Sequence, residues 1–396
     1  MNQLSKRIEA LSESQTIKMA RMSRELKSKG IDIINLSLGE PDFPTPNHIK
    51  EAAIKAIENN FSYYTAVAGI EPLREAISEK FKRDNGLDYS PSQIVCSTGA
   101  KQSIANVALC LLNPGDEVLI PTPYWVSYGE IVKLAEAKPV FVETTIDSKF
   151  KITPEQLDNA LTEKTKLFIF SAPSNPTGSI YTQSELAGLV KVFEKYPNCF
   201  VLSDEIYEYI NYVGKHESIA SFESIHDRVI VVNGFSKAFA MTGWRIGYMA
   251  GPQWIADAVD KIQGQFTSAT CSITQMAATV AYDDMTPTFE MREAFEKRKN
   301  LTIKMVSDIP GIITYDPDGA FYLFPNVKSY FGKSHNGTTV RNSTELALFI
   351  LKEGHVALVT GDAFGSPNCI RISFATSEEN LIEAFKRLKN TLALLK

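Results

Sequence analysis

Two cations stand in a stretch that otherwise reads as interior. Between Asp227 and Tyr248 the apolar run Val229–Val232 ends at Asn233-Gly234; Lys237 follows among small and aromatic residues, and Arg245 lies eight positions further on. A lysine held away from water loses the solvation of its charged form, so its pKa falls and its amine becomes a usable nucleophile. Such an amine is suited to forming an imine with a carbonyl group.

Other polar groups fall at equivalent places. Short apolar runs at Ile94–Cys96, Val118–Ile120, Leu167–Phe170, Phe200–Leu202 and Val229–Val232 alternate with helical patterns. "IKEAAIKAI" sets Ile49, Ala52, Ala53, Ala56 and Ile57 on one helical face, and "PLREAISEKF" sets Leu73, Ala76, Ile77 and Phe81 on another. Thr182 with Glu185 makes a capping box ahead of Leu186, Leu189, Val190 and Phe193. Strands alternating with helices predict an α/β chain with a mostly parallel, covered sheet. In such sheets ligands bind beyond the carboxyl ends of the strands. Four runs are followed there by Gly99-Ala100-Lys101, by Asn175, by Asp204 with Tyr207, and by Lys237. Toward the C-terminus "GAFYLFPNV", "NCIRISFAT" and a helix carrying Leu381, Phe385, Leu388 and Leu392 predict a smaller α+β lobe.

Composition narrows the possible functions. At 396 residues one core stops growing, so two lobes are expected. A hydrophobic fraction of 44% with 22% charged residues argues against long disorder. A net charge of −5 makes nucleic acid or an anionic membrane an unsuitable main partner. The polar start "MNQLSKRIEALSESQ" has no secretory apolar core, which predicts a cytoplasmic protein. The five cysteines are scattered and read as core thiols. No G-x-G-x-x-G occurs, and five dispersed histidines disfavour a metal centre, so none is expected. What remains is lysine chemistry, for which pyridoxal 5′-phosphate is the common partner. Its ring nitrogen needs a carboxylate, met by Asp204, and its phenolic oxygen needs donors, met by Asn175 and Tyr207. Its phosphate needs a cation and free amides, met by Arg245 and the helix start at Gly99-Ala100, and Trp125 is a candidate to cover its flat face.

Taken singly, each residue has another reading. Asp204 could cap a helix, Asn175 could open a turn before Pro176, and Tyr64 and Trp125 could be core aromatics. Arg371, inside the apolar strand "CIRISF", needs an anion or a structural carboxylate. The joint pattern decides. "GFSKAFAMTGWRIG" resembles the lysine signature of class I aminotransferases. "GEPDFPTP", "YYTAVAGIEPLREAI", "STGAKQ", "PTPYWVSY", "SNPTG", "DEIYEYI", "GAFYLFP" and "IRISFA" follow that family's order over nearly the whole chain. The resemblance is greatest to bacterial aspartate aminotransferases bearing the Gly99-Ala100-Lys101-Gln102 motif.

The resemblance implies a fold-type-I homodimer with shared active sites. A large domain at 47–283 would hold a seven-stranded sheet, and 1–46 with 284–396 would form the small domain. It implies that Lys237 is the catalytic lysine and that Asp204, Asn175, Tyr207, Arg245, Gly99, Ala100 and Trp125 bind the cofactor. Tyr64 would reach the cofactor phosphate of the neighbouring subunit, Arg371 with the Gly39 backbone would take the substrate α-carboxylate, and Trp125 and Asn175 would contact the substrate as well as the cofactor. Lys101, with Thr16, would take a distal carboxylate, which implies aspartate and 2-oxoglutarate as substrates. The subgroup reads lysine-proline-serine before that threonine, whereas this chain has Ser12-Glu13-Ser14, which counts against prephenate. Aromatic amino acids, alanine and prephenate or arogenate are the alternative donors and acceptors.

Overall fold

In the computed structural model, which describes residues 4–13 and 15–396 (backbone only at 15–18 and 20), every one of the five apolar runs lies in one sheet. Its strands are β1 (Ile94–Ser97), β2 (Glu117–Thr122), β3 (Lys138–Glu143), β4 (Thr165–Ser171), β5 (Phe200–Asp204), β6 (Val229–Gly234) and β7 (Gly247–Ala250). They lie side by side in the order β1-β7-β6-β5-β4-β2-β3. β7 runs antiparallel to both of its neighbours, and the other pairs are parallel. Two strands were not foreseen. β3 is an edge strand, half-buried or exposed along its length, in which the short apolar stretch Val140-Phe141-Val142 is flanked by Pro139 and Glu143. β7 opens on Gly247 and is only four residues long.

The central strands read as continuous apolar runs because both of their faces are covered. Phe168, Phe170, Val229 and Val231 enter one core, while Leu167, Ile169, Ile230 and Val232 enter the other. Alternate side chains of one strand must point to opposite faces, so each run feeds two cores at once. The capping box forms as its spacing predicts: Thr182 Oγ1 accepts from the Glu185 amide at 3.3 Å, and Glu185 Oε2 accepts from the Thr182 amide at 2.8 Å. One apolar stripe is narrower than expected. On the helix Asn47–Glu58, Ile49, Ala53 and Ala56 are buried, but Ile57 is 59% exposed. The cysteines also divide, with Cys96, Cys199 and Cys369 buried and Cys271 exposed.

A separate core joins the two ends of the chain. Ile33, Ile34 and Leu36 pack with Leu346, Ile350, Val356, Ile370, Ile372, Leu381 and Phe385. Ile34–Asn35 pairs in parallel with Val356–Ala357, and Ile370–Ser373 lies between Val359–Thr360 and Tyr322–Leu323. The helix Glu378–Ala393 closes this unit. Ser377 caps it by accepting from the Asn380 amide, and Leu381, Phe385, Leu388 and Leu392 face inward. Burying each such side chain stabilises the unit by about 1.5–3 kcal/mol. No described helix is long and apolar enough to cross a membrane.

A buried charge cluster supports the sheet from behind. Lys80, fully buried at the end of the helix Glu71–Lys80, pairs with Glu208 and donates to Asn85 Oδ1 at 2.7 Å. Glu205 accepts from Ser203 Oγ at 2.8 Å and Ser218 Oγ at 2.6 Å, and lies 3.0 Å from His216 Nε2. Although burial opposes it, Glu205 holds the His216 imidazole above its ordinary value. Ligand atoms of Glu205, Glu208 and His216 lie within 4.8 Å of one another, but Lys80 already pairs with Glu208 and His216 with Glu205. Removing one partner of a buried pair strands the other charge, so Lys80→Met is expected to cost about 3–5 kcal/mol. Lys80→Met with Glu208→Gln should recover most of that loss in chemical denaturation. A double-variant loss equal to the sum of the Lys80→Met and Glu208→Gln losses would show that the pair is not coupled.

Candidate active site

The carboxyl ends of β4, β5 and β6 open into a cavity of about 310 Å³. Gly39, Ala100, Lys101, Trp125, Asn175, Asp204, Tyr207, Lys237, Arg245 and Arg371 all line it, and Gly99 stands directly behind Ala100. The topology explains the convergence. Asp204 is the last residue of β5, Asn175 follows β4, and Lys237 and Arg245 lie on the single connection from β6 to the antiparallel β7. Tyr64 is not among the lining residues and is 98% exposed on its own chain. The side chain of Thr16 lies outside the described residues.

Burial dominates the electrostatics of Lys237. It pushes the amine down to about 8, with Glu40 opposing and the positive charges of Arg371 and Arg245 reinforcing the shift. The Nζ donates to the Gly39 carbonyl and lies 5.7 Å from the centre of the Tyr207 ring. Asp204 shifts the other way. Burial raises its carboxyl to about 6, although Tyr128 Oη donates to Oδ2 at 2.6 Å and the Ile206 amide donates to Oδ1 at 3.3 Å. Oppositely shifted groups in one cavity mark a place where proton positions are under control.

Arg371 is fully enclosed and has no carboxylate partner among the described residues. Its Nη1 donates to Asn175 Oδ1 at 3.0 Å and its Nη2 to the Ser37 carbonyl at 2.7 Å, while its buried Nε has no partner. Burial lowers its pKa from the ordinary arginine value. Its guanidinium carbon lies 4.5 Å from the centre of the Tyr322 ring and 5.0 Å from that of Phe364, and a buried guanidinium held only by neutral acceptors and ring faces is suited to receive an anion.

A second anion site lies at the other end of the cavity. The helix Ala100–Leu111 begins at Gly99, which has φ +82° and no side-chain cap, so its first amides are free. Arg245 stands over them, donating from Nη1 to the Thr242 carbonyl at 2.8 Å and from Nη2 to Thr98 at 3.3 Å. A Cβ at position 99 would lie 2.3 Å from Arg245 Nη2, and one at Gly247 would lie 2.3 Å from the Ala100 nitrogen. Glycine at both positions is what lets strand, helix and guanidinium close on one small anion.

Trp125 forms one wall, packed edge-on to Tyr128 with centroids 5.4 Å apart. The Lys101 ammonium lies 4.9 Å from the Trp125 ring centre, and burial together with the charge of Arg245 holds its amine below the ordinary lysine value. The sequence does not single out Ser127, Ser171 or Thr242 of the lining, nor three polar residues whose contacts bear on the site. Ser236 lines the cavity beside Lys237, Tyr128 binds Asp204, and Tyr322 Oη lies 2.7 Å from Tyr207 Oη. Tyr128 and Ser236 sit inside motifs already singled out, so a helical turn after Trp125 was the available signal for the first. Nothing in the spacing points to Tyr322.

The chain matches the family model described as aminotransferase class I and II over residues 31–388. It is 44% identical over 395 residues to the aspartate/prephenate aminotransferase of Nitrosomonas europaea, covering 98% of this chain and 100% of that one. Among solved structures it is similar to the aspartate aminotransferase of Rhizobium meliloti, with a TM-score of 0.97, 39% identity and all of both chains covered. It is similar too to the aspartate aminotransferase of Thermus thermophilus with maleate, with a TM-score of 0.92 and 36% identity over 99% of this chain and 100% of that one.

Proposed function

The chain belongs to the class I and II aminotransferases, and from that premise we propose that it exchanges amino groups between L-aspartate and 2-oxoglutarate with pyridoxal 5′-phosphate held at Lys237. The carrying observation is that a buried, unpaired Arg371 guanidinium and a lysine amine lowered to about 8 face one cavity. The residues present suit the cofactor. Arg245 and the free amides after Gly99 suit its phosphate, and the Asp204 carboxyl, raised by burial and in no ion pair among the described residues, suits a protonated ring nitrogen. When bound, the cofactor supplies an electron sink for the bond broken at the substrate Cα.

The protein's own groups do the rest. Asp204 holds the proton at the ring nitrogen, with Tyr128 keeping its carboxylate in place. Asn175 and Tyr207 serve the phenolic oxygen, and Trp125 covers the ring face. Arg371, with the Gly39 backbone, takes the α-carboxylate and aims Cα at Lys237, whose amine removes and returns the proton. Lys101 and Thr16 take the distal carboxylate, which favours a dicarboxylic substrate; the similar Thermus structure contains maleate, itself a dicarboxylate. Products leave in two halves, oxaloacetate first and L-glutamate second. The proposal includes a cytoplasmic homodimer, in which Tyr64 completes the phosphate site of the neighbouring copy. It also includes a cofactor-bearing domain at 47–283 and a small domain of 1–46 with 284–396.

The name of the Nitrosomonas relative favours one second reading, use of prephenate as an acceptor. Against it, Ser12 stands where the subgroup carries lysine, its amide donating to Glu130 Oε2 at 2.8 Å, and the adjacent Glu13 pairs with Arg21 at 2.9 Å. An absorbance titration of the purified, cofactor-loaded protein separates these readings. L-Aspartate alone should bleach the visible band, and 2-oxoglutarate should restore it. A band that ignores aspartate but responds to aromatic amino acids or alanine would overturn the substrate. Restoration by prephenate as fast as by 2-oxoglutarate would favour the second reading.

A further inference from the structure

Tyr322 touches three walls of the cavity without lining it. Its hydroxyl lies 2.7 Å from that of Tyr207, and its ring centre lies 4.5 Å from the Arg371 guanidinium carbon. A Cβ on Gly39 would come within 2.8 Å of the same hydroxyl, so glycine at 39 is what leaves the hydroxyl room. The side chain is fully buried on a strand paired with Ile370–Ser373, where Ser373 is its partner in register, two positions from Arg371. The charged groups facing the hydroxyl pair are Arg371 and Asp204, with the Lys237 amine over the Tyr207 ring.

Each hydroxyl has one proton to give, and each of these two finds only the other as partner among the described residues. If Tyr207 gave its proton to Tyr322, it would have none for the cavity. If Tyr322 is the donor, the Tyr207 proton is left to face inward, and donation into its oxygen strengthens that outward bond. Tyr207 lines the cavity and Tyr322 does not, so only the second arrangement puts a donor where the cofactor's phenolic oxygen would lie.

We propose that Tyr322 is a positioning residue of the transamination site: its hydroxyl donates to Tyr207 so that Tyr207 donates to the cofactor, and its ring seats the Arg371 guanidinium. The inference rests on the function proposed above. A donor at the phenolic oxygen draws off negative charge and loosens the proton shared beside it. Weakening that donor therefore raises the pH at which the visible band of the bound cofactor changes.

The test is that pH midpoint, read by absorbance in the loaded protein without substrate. Tyr322→Phe keeps the ring and removes the hydroxyl, so the midpoint should rise by roughly two- to threefold in proton affinity. Tyr207→Phe should raise it by about tenfold or more, and the double variant should go no further than Tyr207→Phe alone. An unchanged midpoint in Tyr322→Phe overturns the proposal, because a packing role survives that change. A lowered midpoint also overturns it, by showing that Tyr322 takes the proton of Tyr207. An unmoved Tyr207→Phe sinks both this inference and the assigned role of Tyr207, whereas a failure of Tyr322→Phe alone leaves that role standing. For the guanidinium seat, Tyr322→Phe should keep the KM for aspartate within about twofold, and Tyr322→Leu should raise it several-fold. Equal KM values in the two variants remove the seat from the proposal.

Discussion

Lys237→Ala is expected to lower kcat/KM for aspartate and 2-oxoglutarate by at least about 10⁴-fold, the upper end of what one positioned acid–base group contributes. The amine would hold the cofactor and move the proton, so both duties fail together. No neighbour replaces it. A guanidinium is too weak a base to take its place, and the Lys101 ammonium is drawn toward Trp125. The fold should survive, since among the described residues the only side-chain hydrogen bond lost is that to the Gly39 carbonyl. Circular dichroism unchanged from wild type, with activity partly restored by an added small primary amine, would complete the expected result. Activity within tenfold of wild type would mean that the proton is moved by some other group.

Asp204→Asn should act in two opposite directions. Charge at the ring nitrogen is lost, so activity should fall by about 10²–10³-fold, as when a preplaced electrostatic partner is removed. The protein without cofactor should nevertheless become more stable. Its carboxyl sits at about 6 in the folded chain against an ordinary 3.8, because burial disfavours the ionised form. The folded state therefore holds that proton more tightly than the unfolded one. Stability is greatest below the ordinary value, falls as pH rises from there to about 6, and stays lower above it. The difference corresponds to about 3 kcal/mol at pH 8. Asparagine escapes the cost while still offering Tyr128 an acceptor. Denaturant midpoints of the two cofactor-free proteins should thus separate at pH 8 and converge near pH 3.5. A variant less stable than wild type at pH 8 would show that the carboxylate is well solvated, contrary to its burial.

Both effects concern residues that the order of strands and polar residues makes legible. Local pattern was enough wherever a strand is covered on both faces. Val229–Val232 is apolar throughout because each neighbour feeds a different core. It failed where one face is bare, as at β3, and where glycine replaces side chains for close approach, as at β7 beside Ala100. Ile57 was assigned to a core because two flanking positions widen the apolar stripe on paper, whereas the contact surface takes only Ile49, Ala53 and Ala56. The buried pair of Lys80 and Glu208 left no trace at all, since a lysine at a helix end normally faces water. The same holds for Tyr322, whose importance depends on a hydroxyl from a distant segment. Periodicity reports what a residue is beside in its own element, and the missed groups act across elements.

Most of the groups that would hold the cofactor and the two that would grip the substrate α-carboxylate belong to different cores, Tyr207 being the exception. Asn175, Asp204 and Lys237 follow strands of the large sheet, and Arg245 shares one connection with Lys237. Gly39 follows the segment Ile33–Leu36, and Arg371 lies on a strand of the other unit. A small rotation of one unit about the other would therefore open the α-carboxylate clamp while leaving Asp204, Lys237 and Arg245 in place. A two-stage exchange needs such a division, because one acid must depart before the next arrives and the carrier must stay behind. In this chain the boundary between the two cores and the division of chemical labour largely coincide.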